Sequence, residues 1–387
     1  MAREESSTNT DSGTFFNESV FDPSHTPEQF RYRDAERAVL RSVLSPAVRS
    51  GATACFLVCG PRAGGKRTAI DLAIDALESA EDALSVQRAT VNCDLDGTAY
   101  RLAIAASNAL PGEDSLAESG YSRETAFRRL RGRLRDVDGV PILRLDHVQR
   151  VDPEELEALL AGLLHGTQAV PGAVVAVTDS LDYRNELAVD TRTRFDQEIY
   201  FGPYDTSQRE SIVRDRASAA FDPAGCPDDV LDRCLEFAAS TDAPLSTAFD
   251  VLELAGRRGA DSGADALTID HVEDATDVVQ RRRLRAAIER CSTQERRTLA
   301  ALLDAEEPRF GPIYESYRRH CRTDGVTPNR ERSVHNYLDA LSDAGLIETS
   351  EGRSSAGGRY FEYELVHDPD AVRAALSAVE TDDSKEQ

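Results

Sequence analysis

Lysine is almost absent from this chain. Of 45 basic residues only Lys66 and Lys385 are lysine, against 69 acidic ones, and the net charge is -24. Such a charge would ordinarily exclude nucleic acid as a partner, because an acidic surface repels a phosphate backbone. Arginine in place of lysine under an excess of carboxylates, however, is a composition suited to a very salty cytoplasm. At molar salt the Debye length shrinks to about 3 Å, so net charge says little and local arginine clusters say more. Paired cysteines are also missing. The seven cysteines include no C-x-x-C pair and no histidine ligands at zinc-like spacing, which leaves buried thiols in a reducing cytosol as the expectation. No apolar run approaches about 18 residues, so no membrane-spanning helix is expected. The opening MAREESSTNTDSG lacks the apolar core of a signal peptide. The expected localisation is cytoplasmic, with no membrane partner, and no internal repeat is evident.

What is present is enough for two or three domains: 387 residues, 40% of them apolar. Residues 1–24 and 378–387 are polar and acidic and read as disordered tails. Between them CFLVC (55–59), ATVNC (89–93), PILRLD (141–146) and AVVAVT (173–178) read as buried strands. Helical spacing fills the gaps: Ala69, Ala73, Ala76, Leu77 and Ala80 share one face, as do Leu130, Leu134 and Val137. Strands alternating with helices predict an α/β core with a parallel sheet over 25–205. Residues 206–285 are helical throughout and predict a small α domain. Residues 286–377 carry three helical stretches and then GLIETSEGRSSAGGRYFEYEL, two alternating segments around a Gly/Ser-rich loop. Three helices and a hairpin outline a winged helix.

The segment GPRAGGKRTA (60–69) follows the first strand and precedes a helix. It meets G-x-x-x-x-G-K at Gly60, Gly65 and Lys66. Such a loop converges backbone N–H groups on phosphates at a helix N-terminus while its lysine bridges the terminal ones. Gly60, Ala63, Gly64, Gly65, Lys66, Arg67 and Thr68 are therefore candidate ATP/ADP contacts. The next position should offer a hydroxyl to Mg²⁺, and it is Arg67. Thr68 has a hydroxyl, but one residue on it is turned by about 100°. Asp146, at the end of the third strand, is the candidate metal ligand and catalytic carboxylate. His147 stands beside it where a water-activating glutamate is expected, a change that costs about 10²- to 10⁴-fold in rate. Arg67 cannot ligate a metal, yet its guanidinium can pair with phosphate oxygens and supply the missing positive charge.

The order of these segments resembles the AAA+ replication initiators of archaea, the family related to origin-recognition and cell-division-control proteins, from about Val20 to Leu376. SVFDPSHTPEQFRYRDAERAVL resembles the family's entry segment, which implies that Arg33 lies near the adenine. EIYFGPYDTSQRESIVRDRASAAF resembles the segment that opens the family's lid, which implies that Tyr204 and Arg216 contact nucleotide. The GGR of the hairpin resembles a DNA-binding wing. The resemblance also exposes departures. The sensor asparagine falls on Asp179, the arginine finger on Asp190 with Arg192 and Arg194 close by, and the second-sensor arginine on Pro244. With Arg67 and His147 these leave fast ATP hydrolysis improbable.

In a winged helix the third helix enters the major groove and the wing follows the backbone or minor groove. TPNRERSVHNYLDALSDAG (327–345) has Val334, Leu338 and Leu341 for its core. It leaves Asn329, Arg330, Arg332, Ser333 and Asn336 for phosphates and base edges, with Arg353 and Arg359 on the wing. Tyr360 packs against either sugar or protein. The runs RRLRGRLR (128–135) and QRRRLR (280–285) read as solvated helix faces. The expected function is a divergent initiator-like protein that binds duplex DNA, at origins or promoters, with ATP/ADP as a structural ligand or slow switch. Other initiator subunits and the replicative helicase are the further partners the resemblance implies. Two other readings stay open: an active ATP-dependent initiator, and a regulatory protein whose winged helix binds protein.

Overall fold

The computed structural model describes residues 15–22, 25–80, 85–94, 97–111, 115–164, 169–241, 243–353 and 359–383. After a short 3-10 turn (Glu18–Phe21) the first elements are α1 (Asp34–Ser50), β1 (Ala54–Cys59), α2 (Lys66–Ser79), β2 (Val86–Asn92), α3 (Ala99–Ala109), α4 (Arg123–Asp136), β3 (Val140–Asp146) and α5 (Pro153–Leu164). Then come β4 (Ala173–Thr178), α6 (Tyr183–Glu186), α7 (Val189–Arg192), β5 (Gln197–Tyr200), α8 (Thr206–Ala220), α9 (Asp228–Ala239) and α10 (Pro244–Ser262). The rest is α11 (Ile269–Glu289), α12 (Thr293–Leu303), α13 (Phe310–Thr323), α14 (Glu331–Asp343), β6 (Ile347–Arg353), β7 (Arg359–Leu365) and α15 (Pro369–Asp383).

The five strands β1 to β5 form one parallel sheet in the order β2-β3-β4-β1-β5. Its middle strands are apolar on both faces because helices cover both. Along β1, Cys55, Leu57 and Cys59 point into one core with Leu102, Leu130 and Leu160. The alternating residues Phe56 and Val58 point into the other, with Leu40, Leu44 and Ile70. β5 leaves little trace in the sequence because it is a short edge strand in which only Ile199 is fully buried. On α2 the buried face is Ala69, Ile70, Ala73, Ile74 and Leu77, while Ala80 is an exposed cap residue rather than part of that face. Six of the seven cysteines, Cys55, Cys59, Cys93, Cys234, Cys291 and Cys321, are buried thiols outside any disulfide, whereas Cys226 is half-buried.

The chain divides into two compact units: residues 1–249 with 260–266, and residues 250–259 with 267–387. In the first, α8 starts with a capping box in which Asp205 and Gln208 exchange bonds across the helix N-terminus. In the second, α12, α13 and α14 carry the antiparallel hairpin β6–β7, the winged helix expected from the sequence. Val334, Leu338 and Leu341 are fully buried in it.

Parts of both expected disordered tails are structured. Residues 15–22 are packed rather than free: Phe15, Phe16 and Val20 are buried. The Asn17 amide donates to Ala220 O at 2.7 Å, and Phe16 stacks on Phe221 with centroids 5.1 Å apart. Phe15, Phe16 and Phe21 find ring partners in Phe221 and Phe249, about two hundred residues away and beyond the reach of a local composition argument. Residues 378–383 are the last turns of α15, anchored by Val379, which is 2% exposed. Within α4, Arg131 and Arg133 donate to the Gly162 and Ser107 carbonyls, so that run is partly spent on protein.

Candidate functional site

The carboxyl ends of β1, β3 and β4 meet at the N-terminus of α2. Parallel strands deliver their terminal side chains to one edge, and there the candidate residues converge. Gly60 leaves β1 so close to the chain that an added Cβ would lie 2.5 Å from Phe201 O. Gly65 is left-handed (φ 82°), and a Cβ there would lie 2.8 Å from Tyr204 Oη. Ala63 is also left-handed (φ 55°). These positions turn the loop so that the first-turn amides of α2, which have no intrahelical acceptor, face a cavity. The cavity measures about 890 Å³ and is lined by Ala63 to Thr68, His147, Asp179, Tyr204 and Arg216 among others.

The charges inside it are satisfied by the chain itself. Lys66 Nζ donates to Gly60 O (2.6 Å), Pro61 O (2.8 Å) and Asp179 Oδ1 (2.9 Å). Arg67 Nε lies 3.2 Å from Asp146 Oδ2, and Arg67 also bonds His147 Nε2. His147 Nδ1 lies 3.0 Å from Asp179 Oδ2. Since a guanidinium only donates, His147 Nε2 accepts from Arg67 and Nδ1–H donates to Asp179, an assignment that follows from the partners. His147 adopts a left-handed backbone (φ 63°), sparsely populated for a residue with a Cβ, which turns its ring between the two partners. Burial favours the neutral form of Asp179, but the His147 hydrogen bond and the Lys66 charge outweigh it and hold the carboxyl well below the usual range. Burial pushes the Lys66 ammonium down, and Asp179 opposes that shift.

This donor set does not suit magnesium. The hydroxyl ligand is missing at Arg67, and Asp146, only 5% exposed, faces Arg67 on one oxygen. Its other oxygen is 3.3 Å from Arg144 Nε but lacks hydrogen-bond alignment. A dication would have to displace one guanidinium and sit beside the other.

The remaining candidates sort as follows. Tyr204 and Arg216 line the cavity. Arg216 stacks on Phe249 at 4.9 Å and donates to Val20 O, which ties the cavity wall to the packed N-terminal segment. Arg33 is elsewhere: it is 4% exposed, stacks on Tyr204 at 3.9 Å and donates to Gly64 O, Glu36 and Gly202 O. Each of its three nitrogens donates to protein, which braces the loop from outside the cavity lining. Arg192 donates to Leu187 O through Nε alone, Arg194 donates to Glu157 through Nε and Nη2, and Asp190 is exposed. Phe30, His25 and Phe249 also line the cavity. They carry no motif in the sequence.

In the second unit, Arg330 is the residue before α14 and Arg332 sits in its first turn. Both are exposed, no described residue pairs with them, and Asn336 is exposed one turn on from Arg332. Ser333 is half-buried. Asn329 is committed: its amide donates to Tyr337 Oη at 2.8 Å, and Tyr314 donates to its carbonyl. His335, not singled out in the sequence, stacks on Phe310 at 3.6 Å. Arg353 and Arg359 pair at the ends of the wing strands, and their side chains lie outside the described residues. Tyr360 packs on protein, with Arg309 over its ring at 4.3 Å and Gly352 beneath it.

Two family models match. Residues 286–375 fit the CDC6 C-terminal winged helix domain and residues 210–277 the Cdc6 AAA+ ATPase-type lid domain. The chain is 26% identical over 364 residues to ORC1-type DNA replication protein 15 of Haloarcula marismortui, covering 91% of this chain and 89% of that one. It is 28% identical over 367 residues to ORC1-type DNA replication protein 10 of Halobacterium salinarum, with coverage of 91% and 89%. The structure is similar to that of the Aeropyrum pernix ORC1 protein in complex with DNA, with a TM-score of 0.75, 25% identity and coverage of 94% and 96%.

Proposed function

The chain belongs to the ORC1/Cdc6-type family of AAA+ replication initiators, and from that premise we propose that it binds duplex DNA through α14 while retaining ADP or ATP without magnesium and without turnover. The observation that carries this reading is the Arg67 guanidinium on Asp146. A fixed cation occupies the carboxylate that would hold a metal, and it stands at the head of a helix whose free amides already favour an anion. Lys66, Arg67 and the amides of 63–68 hold the phosphates; Tyr204 and Arg216 border the rest of the nucleotide.

Turnover is blocked at the base. A hydrolytic water needs an acceptor for its proton, and both nitrogens of His147 are engaged, one by Arg67 and one by Asp179. The nucleotide then acts as a structural ligand of the first unit. Retention on the full chain through a desalting column, with phosphate release at the uncatalysed rate, is the expected result of a labelled-ATP assay. Repeated turnovers would sink the proposal.

For DNA, the exposed Arg330, Arg332 and Asn336 have the chemistry for phosphates and base edges. That the similar A. pernix protein was solved in complex with DNA supports DNA as the partner. Origin or promoter DNA, other initiator subunits and the replicative helicase belong to this reading as partners. A gel shift of the full chain at the lowest salt that keeps it folded tests the DNA contact, and absence of any shift would favour protein partners for the winged helix instead.

A further inference from the structure

The phosphate-loop lysine reaches the terminal phosphates of a bound nucleotide. In this chain its tip meets a carboxylate of the same protein. Lys66 Nζ has three N–H groups and three acceptors: two loop carbonyls and Asp179 Oδ1 at 2.9 Å. Asp179 is held in turn by His147 at 3.0 Å and through its backbone amide by the Gln149 side chain at 3.3 Å. It is therefore fixed as an anion at the end of β4, bonded to the lysine that a phosphate loop uses for the terminal phosphates.

We propose that Asp179 makes this cavity select a nucleoside diphosphate over the corresponding triphosphate, an inference that rests on the nucleotide-binding reading above. A diphosphate is served by the amides at the head of α2 and by the two cations that flank them. A third phosphate must lie beyond Lys66, beside the carboxylate. Around that point stand Lys66 and Arg67, opposed by Asp179 and Asp146, and by Asp94 at 3.8 Å from His147. Arg144 and Arg150 pair with two of those carboxylates, at 3.3 Å from Asp146 and 3.4 Å from Asp94, and the exposed Arg62 of the loop lines the cavity; none of the three is paired with Asp179, and the metal that would offset the further charge does not suit the donor set. A carboxylate also accepts hydrogen bonds only, so it offers the phosphate oxygens nothing, whereas an amide of the same shape would donate to them. Like charges in contact in a half-buried site interact strongly enough to shift an affinity by a factor of ten or more.

The test is calorimetric titration of the full chain with ADP and with ATP, both in EDTA, for the natural protein and for Asp179→Asn. The natural chain should bind ADP about ten-fold or more tighter than ATP, a difference of about 1.4 kcal/mol. Asp179→Asn should bring the two within about three-fold, chiefly by tightening ATP. Asp179→Ser, also neutral, carries the same expectation if the asparagine variant does not fold. Equal affinity for both nucleotides in the natural chain, or a preference for ATP, overturns the inference while leaving nucleotide retention intact, as does a ratio unchanged by both variants. No heat with either nucleotide overturns retention itself and this inference with it.

Discussion

At the head of α2 the two loop cations, Lys66 and Arg67, are each bonded to a carboxylate of the same chain; at the start of α14 two arginines stand exposed with no described partner. The same composition, rich in arginine and richer in carboxylates, serves opposite ends. Paired charge in a half-buried pocket fixes geometry, and a ligand must compete with the carboxylates for it. Unpaired charge on an exposed helix terminus is open to an anion from outside. The contrast explains why the excess of acid does not decide what this protein binds: the balance that matters is local.

The comparison breaks most sharply if the paired cations prove dispensable. Lys66→Ala should weaken ADP binding by about 100-fold, the loss of charge-assisted hydrogen bonds to phosphate, as read by calorimetry. Unchanged affinity would mean that the pairing with Asp179 is never released. Removing both unpaired cations, Arg330→Ala with Arg332→Ala, should lower DNA affinity by about 30-fold in a low-salt gel shift. The same pair should reduce the slope of log affinity against log salt by about 2, at roughly 0.9 per phosphate contact.

Two smaller effects sharpen the contrast. Arg67→Thr restores the hydroxyl, and should lower metal-free ADP affinity by about ten-fold while phosphate release stays at background, because His147 and Asp179 remain. Asn329→Ala should cost about 1 kcal/mol of stability in thermal unfolding without altering sequence preference on DNA, since its amide is bonded to Tyr337. The weakest dependence is on pH. Asp179 titrates lower in the fold than its unfolded value of about 3.9, so its ion pair is complete above that value and is lost only as pH falls through the lower one. The ADP-to-ATP ratio should therefore stay flat between about pH 9 and pH 7.5, where Asp179 and the terminal phosphates are ionised throughout, as followed by titration at several pH values.

Much of the fold and part of the site can be read from residue order alone. The phosphate loop, Asp146, the buried strands and the three helices with a hairpin follow from spacing and alternation, because those patterns encode which face is buried. The substitutions at 67, 147 and 179 are each visible as departures. Their mutual bonding is not, since it depends on three strand ends meeting at one edge. Arg33 shows the opposite failure. Its residue type suits a ligand contact, but only packing reveals that Glu36, Gly64 and Gly202 already use it. The N-terminal aromatics and the exposed Ala80 mislead for a related reason, as local composition carries no information on distant partners.

The central claim is that a guanidinium has taken the place of the metal. Titration of the full chain with ADP in EDTA and again in magnesium tests it most directly. The account predicts dissociation constants that agree within about two-fold; binding that appears only when magnesium is present would contradict it.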